Sequence, residues 1–242
     1  MAAIYGGFVL NLNTWSILCD FDGTIALRDV TDLLLERFAR PGWEEIEARW
    51  ERGEIGSRVC MQQQIALLDV DRGELEAALD AVPIDPEFPR FVAEVLARGW
   101  PLAVVSDGLD LAIHHILARY ALPPLPVFAN RLRQAGPRAW RLDAPAGAGS
   151  CRVDSGTCKC ARARLARHET SRVLLIGDGA SDFCAAGAVD LVFAKGKLQE
   201  YCRRESLPFV PIGGFADACA ALPQLAAEGE RFFSLETLTH ES

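Results

Sequence analysis

No run of roughly 18 consecutive apolar residues occurs in the chain, so no membrane-spanning helix is expected. No basic segment precedes the weakly apolar start MAAIYGGFVLNLNT, which makes it a poor secretion signal. The expected compartment is the cytoplasm, with no membrane partner. Basic residues do not predominate: 25 Lys and Arg stand against 33 Asp and Glu, a net charge of -8. That balance, with a pI near 5.1, argues against a nucleic-acid partner, which calls for a basic face. The chain has no internal repeat and no low-complexity tail, and nothing in it signals an oligomeric state. The CxxC pairs or histidine partners of zinc sites are also missing. Cys151, Cys158 and Cys160 lie close together at a spacing that fits such a site poorly. Free thiols in a reducing compartment are the expectation for them, and a metal or redox role stays open.

What remains is an ordinary globular composition, 50% hydrophobic and 24% charged over 242 residues. That length allows one large domain or a core with an insertion. Short apolar runs alternate with amphipathic stretches, which predicts an α/β fold, a doubly wound and mostly parallel sheet wrapped by helices. Strands are predicted at about 16–19, 101–105, 173–176, 191–194 and 208–212, with a hairpin at 127–132 and 139–142. Helices are predicted at about 91–98, 109–120 and 159–168 and from Phe215 onward, with a flexible loop at 144–149. Between Asp29 and about Asp80 only helical patterns occur, broken at Pro41-Gly42 and at 53–57. The expected organisation is therefore a core of 1–28 and 83–242 with a helical cap at 29–82. The stripe Trp43, Ile46, Trp50 reads as packing core.

Three of the predicted strands run into polar turns that contain glycine: Asp20-Phe21-Asp22-Gly23-Thr24, Ser106-Asp107-Gly108 and Asp178 to Asp182. In open α/β sheets, ligands bind at strand ends of this kind. Each turn also has a plainer reading. Asp22 or Thr24 would cap a helix, as would Ser106 and Asp182. Asp107 and Asp178-Gly179 would be turn residues. Lys159 would be a solvated lysine. The two acids of the first turn allow separate tasks, nucleophile and proton donor.

Taken in order, ILCDFDGT, AVVSDG, Lys159 and LLIGDGASD resemble the motif set of the haloacid dehalogenase superfamily of phosphatases, over about 16–194. That resemblance implies an aspartyl-phosphate mechanism. Asp20 would be the nucleophile and Asp22 the acid/base. Ser106 and Gly108 would donate to the phosphate, and Lys159 would pair with it or with Asp20. Mg2+ would be held by Asp20, Asp178 and the carbonyl of Asp22. Asp182 would steady the metal shell or Lys159. The implied substrate is a small phosphorylated metabolite.

Within the superfamily, the helical insertion after the first motif and the stretch Ala129-Asn130-Arg131-Leu132 resemble the phosphoserine phosphatase-like group, whose cap occupies the first insertion point. The resemblance implies substrate contacts from Asp29 and from the cap. Gln64 stands where that group carries a carboxylate-gripping arginine, with Arg58 a turn or two earlier. The lead-in GTCKC to Lys159 and the spacing from DFDGT to Asp29 also resemble the 2-hydroxy-3-keto-5-methylthiopentenyl-1-phosphate phosphatases of methionine salvage. The rival functions are a phosphoryl transferase or mutase on the same chemistry and a non-catalytic phosphate-ester binder.

Overall fold

The computed structural model describes residues 3–5, 8–10, 15–143, 154–170 and 172–226. The predicted loop at 144–149 and Cys151 lie outside them. Strands β1 (Ala3–Tyr5) and β2 (Phe8–Leu10) pair antiparallel as a sheet of their own. The five buried residues Trp15–Cys19 form β3, at the centre of a seven-stranded sheet. Its other strands are β4 (Leu102–Leu109), β5 (Val127–Gln134), β6 (Trp140–Asp143), β7 (Arg172–Gly177), β8 (Leu191–Ala194) and β9 (Phe209–Pro211). The order across the sheet is β6-β5-β4-β3-β7-β8-β9, and only β6 runs antiparallel to its neighbour.

Alternation along the strands makes two cores. Ile17, Cys19, Val104, Leu174 and Ile176 face one layer, while Leu18, Val105, Val173 and Leu175 face the other. The second layer consists of α7 (Lys159–Glu169), α8 (Phe183–Ala186) and α9 (Gly196–Arg204). The first contains α5 (Phe88–Ala97), α6 (Asp110–Leu117) and a helix over 215–226. Phe88 and Phe91 of α5 meet Phe215 there, with ring centroids 4.9 and 5.1 Å apart. Gly99, at φ +71°, turns the chain out of α5 toward β4.

The insertion carries α1 (Val30–Phe38), α2 (Trp43–Glu51), α3 (Ser57–Ile65) and α4 (Arg72–Asp80). Its two ends meet in a narrow neck, where Leu27 N donates to the Pro83 carbonyl at 3.1 Å and Asp85 N to that of Ile25 at 2.8 Å. Leu34, Leu35, Ile65, Leu68 and Leu75 continue the first core layer rather than forming a separate one.

Two expectations need correction. The stripe on α2 is core only in part: Trp43 packs half-buried against the first core layer, whereas Trp50 lines a pocket and no α2 residue is fully buried. The strand before Ser106 also does not end at 105. β4 runs to Leu109 through a shift in register, with Val105 opposite Phe128 and Leu109 opposite Asn130. The extra β4 residues bulge out of the ladder, so Ser106-Asp107-Gly108 sits in an irregular strand rather than a turn.

Candidate active site

The C-terminal ends of the adjacent strands β4, β3 and β7 bring the three motifs to one place. Past Cys19, Asp20 keeps one ladder bond, its N–H donating to Ile176 O at 2.9 Å. The chain then turns tightly, with Ile25 N and Ala26 N both donating to Phe21 O at 2.9 Å. Gly23 makes this turn at φ +70°, and an added Cβ would run into the Asp178 carboxylate. Thr24 Oγ1 donates to Asp178 Oδ1 at 3.2 Å and does not cap the following helix, whereas Asp22 Oδ1 takes the first N–H of that helix, from Val30, without standing at the N-cap position. Asp29 stands there, accepting from Asp32 N at 3.0 Å.

Asp20 Oδ1 accepts from Phe21 N at 2.8 Å and pairs with Lys159 Nζ at 2.8 Å. Among the described residues, Oδ2 accepts no hydrogen bond and is left free. Lys159 opens α7, and its ammonium also donates to Asp182 Oδ1 at 2.6 Å and Ser181 Oγ at 2.9 Å. Burial alone would lower its pKa, but the Asp182 and Asp20 charges outweigh that and hold it above the usual lysine value. Asp182 is buried, and its Oδ2 accepts from Asp178 N at 3.1 Å. It therefore anchors the lysine and the β7 turn together.

Asp22 points toward β4. Its Oδ1 accepts from Val30 N at 2.9 Å, and its Oδ2 from Ser106 Oγ at 3.2 Å. Burial, then the nearby Asp29 charge, pushes its pKa up to about 7. Ser106 is buried and accepts from Gly108 N at 2.9 Å. No side chain caps α6, so Ser106 is not a helix cap.

The carboxylates of Asp20, Asp178 and Asp182 offer oxygens within 4.8 Å of one another. Burial and then the Asp182 charge raise the pKa of Asp20 well above normal, and raise that of Asp178 in the same direction. Three acids around one lysine leave negative charge uncompensated. An all-oxygen donor set of this kind fits a hard divalent cation such as Mg2+. Both oxygens of Asp182 are engaged elsewhere, so Asp20 and Asp178 are the residues that fit as ligands.

A pocket of about 410 Å³ opens above this group, between the strand ends and the insertion. Asp29 and Gln64 line it; Arg58 does not. Arg58 is turned away into an ion pair with Asp154 at 3.1 Å. Gln64 is buried and donates to Glu47 Oε2 at 2.7 Å. Leu27, Trp50 and Met61 supply apolar wall, and Asp32 and Glu47 supply acid. Cys160 lies between Cys158 and Cys184, with its Sγ 2.8 Å from that of Cys184. Asp107, expected as a turn residue, has its carboxylate bonded to Ser57, Asn130 and Thr157.

A family model described as haloacid dehalogenase-like hydrolase matches residues 17–187. The chain is 32% identical over 207 residues to a 2-hydroxy-3-keto-5-methylthiopentenyl-1-phosphate phosphatase from an Exiguobacterium species, covering 84% of this chain and 95% of the relative. It is 29% identical over 212 residues to a phosphatase of the same name from Geobacillus kaustophilus, covering 86% and 96%. A solved structure of phosphoserine phosphatase as a phospho-aspartyl intermediate analogue superposes with a TM-score of 0.64 over 87% of this chain and 99% of that one. At 19% identity, that likeness establishes the shared fold.

Proposed function

We propose that this chain, which belongs to the haloacid dehalogenase-like hydrolase family, hydrolyses a small phosphomonoester through an aspartyl-phosphate. The observation that carries this reading is Asp20 Oδ2, left free on a buried carboxylate whose other oxygen is fixed by Phe21 N and Lys159. Oδ2 attacks phosphorus in line, forming the acyl phosphate as the bond to the leaving oxygen breaks. Asp22, with its pKa near 7, is protonated often enough to give that oxygen its proton. Water then attacks the phosphorus and Asp22 takes the proton back. Inorganic phosphate leaves and the Asp20 carboxylate is restored. Ser106 Oγ, which donates to Asp22, and Gly108 N, which donates to Ser106 Oγ, would turn to a phosphoryl oxygen once substrate is bound, and Lys159 offsets charge beside it. Mg2+, which Asp20 and Asp178 would hold with the Asp22 carbonyl, supplies further neutralising charge when bound. Residues 29–82 act as the cap that excludes water and reads the leaving group.

The substrate reading follows the curated relatives: a methylthiopentenyl-type phosphate, or a close analogue with an uncharged leaving group. Trp50, Met61 and Leu27 suit an apolar tail. Asp29, Asp32 and Glu47 disfavour a carboxylate such as that of phosphoserine. The arginine on the wall, Arg28, lies 3.5 Å from Glu36. Phosphate release measured over a panel of phosphorylated metabolites with Mg2+ tests the proposal. Turnover of methylthiopentenyl-type esters above phosphoserine, lost in Asp20→Asn, is expected. Undiminished turnover in Asp20→Asn overturns the mechanism.

A further inference from the structure

Asp107 takes no part in the phosphoryl-transfer scheme, yet its carboxylate joins three segments that are distant in sequence. Oδ2 accepts from Ser57 Oγ at 2.8 Å, at the first residue of α3 in the insertion. Oδ1 accepts from Asn130 Nδ2 at 3.0 Å, on β5, and from Thr157 N at 3.3 Å, in the lead-in to Lys159. Asn130 is fully buried; its Nδ2 also donates to the Asp107 carbonyl at 2.6 Å, and its Oδ1 accepts from Thr157 Oγ1 at 3.3 Å. A parallel tie lies alongside, where Arg58 N donates to the Asp154 carbonyl at 3.0 Å. The start of α3 is pressed against that loop, since a Cβ added at Gly56 would come within 2.7 Å of Asp154 Cβ.

Asp107 sits between Ser106 and Gly108, and Thr157 is two residues before Lys159. One carboxylate therefore grips α3 of the insertion and both segments that present phosphate-binding groups. With three donors already on it, this carboxylate is poorly placed to bind a cationic group of a substrate. We propose that Asp107 is a positioning residue. Through Ser57 it latches α3 over the pocket, and through Thr157 and Asn130 it couples that closure to the placement of Ser106 and Lys159. The proposal rests on the phosphatase reading above.

Ser57 is half-buried and lies at a helix start, so its loss is expected to leave folding intact, whereas Asp107 variants risk local misfolding. Steady-state kinetics on Ser57→Ala, Ser57→Thr, Asp107→Asn and the Ser57→Ala/Asp107→Asn double variant test the latch. A hydrogen bond to a charged group corresponds to about a tenfold change in equilibrium. Ser57→Ala is expected to raise KM about tenfold with kcat within about twofold, at an unchanged unfolding midpoint. Ser57→Thr, which keeps the hydroxyl, is expected to restore KM. The KM effects of Ser57→Ala and Asp107→Asn are expected to be non-additive. An unchanged KM in Ser57→Ala, or simple additivity, overturns the proposal. Amide exchange over 57–65 decides the case without catalysis. Faster exchange in Ser57→Ala but not in Ser57→Thr supports the latch, and equal exchange in both overturns it. If the wild-type protein turns over no phosphomonoester, the phosphatase reading fails and the exchange result alone decides the latch.

Discussion

Lys159 Nζ lies 2.8 Å from Asp20 Oδ1, and the two side chains are only 3% and 5% exposed. The same ammonium holds Asp182 at 2.6 Å, so one buried cation stands between two buried carboxylates. Removing one partner of such a group is strongly destabilising, because it leaves charge buried without compensation.

Lys159→Met is therefore expected to lose about 3–5 kcal/mol of stability at neutral pH. It is also expected to lose at least about a hundredfold in kcat, as for removal of one stabilising donor. Chemical denaturation and phosphate release measure the two effects. A variant as stable and active as the parent would show that the pair matters to neither.

Asp22→Asn keeps the shape of the side chain and removes its proton. General acid catalysis contributes about 10²- to 10⁴-fold, and that share matters only when the leaving oxygen needs a proton. Asp22→Asn is therefore expected to lose most of its rate on alkyl phosphates and much less on p-nitrophenyl phosphate. Equal losses on both would place Asp22 in binding rather than in proton transfer.

The acid cluster also predicts a pH dependence. Asp22 is raised from 3.8 to about 7, and Asp20 and Asp178 shift upward too. A carboxyl whose folded pKa exceeds its unfolded value favours folding while protonated. That contribution is complete below the unfolded value and is lost as pH rises through the folded one. In chelator, the unfolding free energy is expected to fall from Asp22 between pH 4 and 7. Mg2+ binds the ionised form, so it is expected to raise the unfolding midpoint more at pH 8 than at pH 5. Thermal melts with and without chelator measure this. Equal Mg2+ shifts at both pH values would mean that the cation does not meet these carboxylates.

The motifs were legible in the sequence because the chemistry demands particular residue types at the ends of buried strands, and Ser16 to Cys19 and Val173 to Ile176 are plainly buried. Their convergence follows from the parallel order β4-β3-β7. What was not legible depends on pairings across long sequence separations. Asp107 reads as a turn residue because its partners Ser57 and Thr157 are each 50 positions away. Arg58 reads as a substrate ligand because nothing local shows that Asp154, 96 positions on, holds it. Trp50 reads as core because helical spacing tells which side chains share a face but not what covers that face. The bulge in β4 leaves no local signature either, since the register that defines it belongs to β5.

Gly23 and Gly53 allow strain to be separated from site geometry. Both have left-handed backbone, at φ +70° and +73°. A Cβ on Gly53 meets nothing within 4 Å, whereas one on Gly23 runs into the Asp178 carboxylate. The Gly23 carbonyl is also held by Lys195 Nζ at 3.0 Å, so the turn cannot easily move aside. Gly53→Ala and Gly23→Ala are each expected to lose about 1 kcal/mol or more from backbone strain, since alanine is incompatible with positive φ. Only Gly23→Ala is expected to displace Asp178. Mg2+ titrations followed by calorimetry should show weaker binding in Gly23→Ala by about tenfold or more, as for loss of a properly placed ligand, and parental binding in Gly53→Ala. Parental Mg2+ affinity in Gly23→Ala would remove Asp178 from the metal site and leave Gly23 as a turn residue only.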